Sequence, residues 1–438
     1  MSVRQQPHHV PAAPVRRLRG NLYHCMVDGL LYCVMVGVGE SFIPAFVLQL
    51  GLGPVAAGLV LTVPVVVGAW LQLLAQVLVR RFGSYVKFVA LMAFLQGLMY
   101  LPLGAIAVFW PAIRGLCEDA GVGWAAGVLV FATVTLYWVF GLMGGPPWMA
   151  LCGHLIPERV RGGYFGKRSR YLQAMTLLGL LVHGGVMTLV GPDEGPRLAA
   201  FAGLFGVAAV MRMGSVWHLL RYTEPEAGPR QEPVFAPQEI GRVLLRGRTG
   251  KFLLFAGAAW FAAQIAQPYL NPFMLDVLKQ SPIVYSAMLG AWYFGKGVAQ
   301  PWMGRFATRH GSLGPLLVAS IGIVPLPLLW LVTSRIEVLI ALQFVSGVMW
   351  GMFELGLTLQ QFEATDAKNR TVVIACYTAL NETAKTGGSV LGGGMVDGGG
   401  RVEAAYAAVF WVSAGARALA ALLLGGLLRG RGEPPDRG

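Results

Sequence analysis

The chain has 438 residues, of which 55% are hydrophobic and only 13% charged, with a mean hydropathy of +0.61 and a net charge of +13. Soluble domains carry about 25% charged residues, so a string of soluble domains is excluded, and apolar runs of about 20 or more residues make this a polytopic membrane protein. The positive charge does not indicate a nucleic-acid partner, because it collects in short loops where it sets orientation in a bilayer.

In chain order, residues 1–20 are polar and basic and are expected to be a disordered cytoplasmic terminus. The apolar run that follows is too long for a signal-peptide core and stays as the first membrane helix. Twelve apolar runs lie near 22–49, 56–79, 86–109, 122–150, 171–190, 198–220, 252–277, 283–303, 313–333, 336–361, 371–395 and 404–427. All read as helices, since an open strand edge in lipid leaves backbone groups unpaired. Internal prolines (Pro44, Pro64, Pro268, Pro272, Pro325, Pro327) are compatible with kinked membrane helices.

Lysine and arginine alternate sharply between loops. One set holds Arg16, Arg17 and Arg19, then Arg80 and Arg81, then Arg159, Arg161, Lys167 and Arg168, and continues through to Arg429 and Arg431. The alternate set holds only Arg114, Arg197, Lys279, Arg335 and Arg401. By the positive-inside rule the first set and both termini are cytoplasmic. The Arg-rich, Gly/Ala-rich composition points to a bacterial inner membrane. The five cysteines form no CxxC pair, and only Cys117 falls in an expected external loop, so neither a disulfide framework nor a metal site is indicated.

The chain divides into an N-terminal six-helix bundle (21–221), a polar, Pro-rich cytoplasmic loop (222–250), a second six-helix bundle (251–428) and a cytoplasmic tail (429–438). Displaced by 228 residues, QLLAQVLVRRFGS (72–84) lies over QPWMGRFATRHGS (300–312), bringing Arg81 onto Arg309 and Gly83-Ser84 onto Gly311-Ser312. A weaker echo links PERVRGGYFG (157–166) to DAKNRTVVIA (366–375). Parallel six-helix repeats are a transporter architecture.

On these turns the chain resembles a major facilitator superfamily (MFS) transporter, an all-α membrane fold of twelve helices in two pseudo-symmetric bundles. The family's G-x-x-x-D-R-x-G-R-K turn is matched by Gly304, Arg309 and Gly311 between helices 8 and 9, and by Arg81 and Gly83 between helices 2 and 3. Its P-E-x-x-R-G signature after helix 4 is matched by Pro157, Glu158, Arg161 and Gly162. Arg80 and Thr308 replace the family's acidic residue, and Gln76 its first glycine, so this is a divergent branch whose cytoplasmic latch is in question.

The resemblance implies that helices 3, 6, 9 and 12 are scaffold and that the others line a central cavity. Arg212 and Arg417, on helices 6 and 12, are expected to snorkel to the cytoplasmic surface. The deeper charges all fall on lining helices: Asp28 and Glu40, Lys296, Glu354, and Glu382 with Lys385. A charge at mid-bilayer costs about 2.5–3.5 kcal/mol, so Glu40, Lys296, Glu354, Glu382 and Lys385 are candidates for the substrate or proton pathway, whereas Asp28, near the inner end of helix 1, reads equally as structural. Tyr377, Asn381 and Lys385 share one helical face, expected to look across the cavity at Glu354 or Glu40, while Glu382 is placed to neutralise Lys385. Gln264, Gln267 and Asn271 on helix 7 suit hydrogen bonding to a polar solute. Asp28 and Glu40 point about 120° apart and belong to different sites. His183 reads as structural or as a proton relay. Trp138, Trp148, Trp260, Trp292 and Trp350 read as packing or as stacking surfaces.

No P-loop, HExxH or GxSxG is present, so neither ATP-driven transport nor a membrane-embedded enzyme is indicated. The expected protein is a monomeric secondary transporter of a small solute, without cofactor, catalytic residue or metal, with protons as a candidate coupling ion. A non-transporting sensor or lipid-handling protein on the same scaffold is the alternative.

Overall fold

The computed structural model describes residues 12–191, 193–226, 228–229, 241, 247–270, 273–278, 282–365, 370–397 and 402–429, and no strand occurs among them. The first half runs α1 (Ala12–Val38), α2 (Ile43–Gln49), α3 (Gly53–Leu71), α4 (Ala75–Phe82), α5 (Tyr85–Leu98), α6 (Tyr100–Asp119), α7 (Trp124–Leu155), α8 (Glu158–Val190) and α9 (Glu194–Leu219). The second runs α10 (Gly247–Ala266), α11 (Pro282–His310), α12 (Leu313–Gly322), α13 (Leu326–Leu329), α14 (Ile336–Glu363), α15 (Arg370–Asp397) and α16 (Val402–Arg429).

Four pairs, α1/α2, α3/α4, α5/α6 and α12/α13, succeed one another as interrupted rods, so the described helices amount to twelve rods, six per half. Among the described residues, eight helices are long and apolar enough to cross a membrane, and Leu313–Leu329 is a shorter apolar stretch. Outside those eight are α11 and α15, which carry Lys296 and the Glu382/Lys385 pair.

At two of these breaks, α1/α2 and α12/α13, and at the turn between α2 and α3, a side chain from another helix captures a freed carbonyl. Pro54 has no N–H for Leu50 O, and the Trp110 indole of α6 donates to that oxygen at 3.0 Å. At the α1/α2 break the Phe42 amide turns to Gly39 O, and His183 Nδ1 donates to the freed Val38 O at 2.6 Å. Pro327 cannot serve Ile323 O, which takes Arg417 Nη1 at 2.8 Å, while Nη2 reaches Ala263 O at 3.3 Å. Arg417 and Arg212, only 4% and 9% exposed, therefore do not snorkel. Arg417 finds its partners at the broken helix, and Arg212 bonds Ser215 at 3.0 Å with its guanidinium over Tyr32.

Where the helices approach most closely, glycine is the reason. A Cβ on Gly388 would run into the Phe261 carbonyl, and one on Gly392 into that of Ile265, so α15 lies directly on α10. Small residues let membrane helices gain dispersion contact that lipid would otherwise take.

Candidate functional site

The intramembrane charges of the second half form two ion pairs. Lys296 Nζ of α11 lies 2.7 Å from Glu354 Oε2 of α14, and Lys385 Nζ lies 2.7 Å from Glu382 Oε1 one turn earlier on α15. Lys385 thus takes the partner that its i,i+3 spacing had suggested. Glu354 is taken by a lysine 58 positions earlier in the chain, and Glu382 reaches Lys385 at i,i+3 spacing. Each ammonium also lies on an indole, Lys296 over Trp292 at 4.1 Å and Lys385 over Trp260 at 4.4 Å. Such contacts contribute about 0.5–2 kcal/mol each, most where water is excluded.

Trp260 stacks on Trp350 at 5.8 Å between ring centres, and Trp350 lies one turn before Glu354. The indoles thus link the two ion pairs. Tyr377 stacks on Phe252 at 5.7 Å. Asn381 is 2% exposed, and neither atom of its amide reaches hydrogen-bond geometry, although the Tyr377 phenol lies alongside. Gln264 faces α15 at Gly388. Gln267 is not on the same helical face, because α10 ends at Ala266 and Gln267–Tyr269 is a 3-10 turn around Pro268; its Oε1 is buried without a partner. Asn271 lies outside the described residues.

In the first half, Glu40 sits in the 3-10 turn between α1 and α2 and accepts from the Tyr137 hydroxyl at 2.6 Å, which accepts in turn from Tyr100 at 3.1 Å. Asp28 belongs to another cluster, accepting from Ser215 at 2.5 Å and Tyr222 at 3.2 Å. His183 must donate through Nδ1, since Val38 O can only accept, and its ring stacks on Phe42 at 3.4 Å. That geometry is structural.

The halves meet along two seams, α8 against α11, and α15 against α3, α4 and α7. In the first, Gly162 and Gly304 touch backbone to backbone, and a Cβ on Gly162 would come within 2.6 Å of Gly304 O. Thr308 donates to Gly304 O at 2.8 Å and accepts from the Gly163 amide at 3.0 Å. Phe362 of α14 lies under Arg161 (4.8 Å) and Arg370 (5.6 Å) and beside Phe165 (5.4 Å). Arg161, 7% exposed, also caps the end of α7 through Gly153 O and Ile156 O at 2.9 and 3.0 Å. In the second seam, Trp70 Nε1 donates to Thr383 Oγ1 at 3.2 Å.

The repeated turns follow one plan. Gly83 and Gly311 adopt φ of 77° and 82°, which a side chain would strain, and each is followed by a serine that opens the next helix. Glu224 accepts from Ser84 Oγ at 2.6 Å and the Tyr85 amide at 2.8 Å, and Glu363 accepts from the Ser312 amide at 3.1 Å. Carboxylates thus reach both turns from distant segments, although Arg80 and Thr308 stand where the family has its acid. Arg81 and Arg309 remain exposed.

Residues 252–438 match the sequence model of the Major Facilitator Superfamily. The match covers most of the second half of the chain. The structure is similar to that of a bacterial homologue of the iron transporter ferroportin in an outward-facing state (TM-score 0.70, 14% identity, covering 93% of this chain and 99% of that one). It is also similar to the human organic anion transporter MFSD10 (0.69, 13%, 96% and 100%) and to the E. coli fucose:proton symporter FucP (0.68, 12%, 93% and 99%). At these identities the likeness is one of fold. No curated protein sequence matches the chain.

Several residues with a part in this site went unread in the sequence. Tyr137 and Tyr100 meet Glu40 only through the fold, and Glu224 and Glu363 reach their turns across 140 and 51 positions. The polar side chains on otherwise apolar helices were the available signal.

Proposed function

We propose that this protein is a secondary active transporter that moves a small polar or amphipathic solute by alternating access, with protons as the coupling ion. The observation that carries the reading is the pair of intramembrane ion pairs, Lys296–Glu354 and Glu382–Lys385, on helices of the second half that pack against the first. Paying the insertion cost of four charges at membrane depth is hard to justify by packing alone, since apolar residues would do that better. Half-buried carboxylates at Glu40, Glu354 and Glu382 stand at membrane depth on partners that alternating access would exchange, which suits coupling.

The solute binds between the two bundles, 21–221 and 251–428, of a monomer in a bacterial inner membrane with both termini cytoplasmic. Loop charge supports that orientation. The contacts of Gly162, Thr308 and Phe362 then close the cytoplasmic end, and the solute path opens outward. Purified protein in liposomes carrying an internal pH dye tests the reading. A solute library should include at least one compound that alters internal pH in a protein-dependent way. Uptake of that compound with no proton movement would remove the coupling, and no flux of any solute would remove the transporter reading.

A further inference from the structure

We infer that the solute is a zwitterion with a flat apolar body, its cationic end held at Glu354 and its carboxylate at Lys385. The inference rests on the transporter reading above. The two ion pairs differ in which member they present. Glu354 is 31% exposed and Lys296 only 5%, so that pair offers a carboxylate and hides its cation. Lys385 and Glu382 are 27% and 20% exposed, so the second pair, unlike the first, leaves its ammonium within reach of a solute. Beside Lys385 lies the half-buried indole of Trp260, a flat apolar surface backed by the buried Trp350, one turn before Glu354.

Both pairs stand beside the opposite half. Thr383, the neighbour of Glu382, bonds Trp70 across one seam, and Gln300, one turn from Lys296, has its backbone against Gly166 at the other. The wall therefore offers opposite charges at two places along a solute.

Charge balance selects the class. The four groups sum to zero, so a lone anion or cation would bring an uncompensated charge into a low-dielectric site. A zwitterion leaves the sum at zero. Its ammonium can take the Glu354 oxygen that does not hold Lys296, and its carboxylate can share Lys385 with Glu382. Asn381, one turn before Lys385, adds an independent sign of a ligand, a buried amide with both donor and acceptor unpaired.

Calorimetric titration of the purified full-length protein with L-tryptophan, tryptamine and indole-3-propionate tests this, because the three share a ring and differ in charge. Tryptophan should bind at least ten-fold more tightly than either analogue. The charge-balanced double variant Glu382→Gln with Lys385→Gln should abolish the preference for tryptophan over tryptamine. Glu354→Gln with Lys296→Met should abolish the preference over indole-3-propionate. Equal binding of either analogue by the wild type overturns the inference, as does binding of none while other solutes are transported. Tryptophan binding without flux of any solute would instead overturn the transporter reading and leave this site standing.

Discussion

The Thr308 hydroxyl joins the two halves of the molecule, accepting from the Gly163 amide at 3.0 Å while donating to Gly304 O on its own helix. Thr308→Val removes both bonds at nearly constant volume. One hydrogen bond contributes about 0.5–1.5 kcal/mol, so the balance between the closed and separated seam should move by about two- to ten-fold. Labelling of a cysteine placed at Ala307, buried beside Thr308, in a background without native cysteines, should speed up by that factor. An unchanged rate would mean the bond does not hold the seam.

Gly304→Val acts on the same seam by shape. Its side chain would meet the Gly162 carbonyl inside van der Waals separation, so the backbones must part. Transport should fall by at least ten-fold with folding retained, as judged by a monodisperse elution profile. Wild-type flux would show that the close approach is dispensable.

For the α15 pair, Lys385→Met alone leaves Glu382 without its cation. The loss should be about 3 kcal/mol, at the low end for a buried pair because both groups are partly exposed, and yield and thermal stability should drop. Glu382→Gln with Lys385→Met should restore stability and still lack coupled transport. A double variant with full, pH-responsive flux would assign the pair to structure alone.

Arg417→Met removes two charged-donor bonds and leaves Ile323 O with no partner. Bonds of that kind contribute about 1.5–3 kcal/mol each, so unfolding by heat should come several degrees earlier, and Arg417→Lys should recover only part of the loss. An unchanged melting profile would mean that another group takes over the carbonyl.

Orientation is open to a direct check. Cysteines at Asp193 and Glu226, in a background without native cysteines, should label from opposite faces of intact cells, Asp193 from outside. Labelling of both from one face would overturn the span count.

The fold was legible because it is written in short-range signals. Loop arginines, apolar run lengths and the Gly-Ser turns at 83–84 and 311–312 each need only neighbouring residues to be read. Glu382 with Lys385 was legible for the same reason. Lys296 with Glu354 and Glu40 with Tyr137 were not, since 58 and 97 positions separate the partners and helical periodicity says nothing about which helix lies opposite. Arg417 was misread because depth was judged from its place along the helix, whereas the carbonyl freed by Pro327 decided its direction.

The captured carbonyls bear on how the molecule can move. His183 and Arg417 each hold the bend of another rod in the same half, and Trp110 holds the turn between α2 and α3. A bend held in this way cannot straighten without first surrendering a strong bond in a medium that supplies no substitute. Flexing within a half is therefore costly, whereas sliding at the seams disturbs a few glycine contacts and single hydroxyl bonds. Each bundle should travel as a stiff body, and the barrier to exchange between states should be governed by a handful of atoms at the boundary.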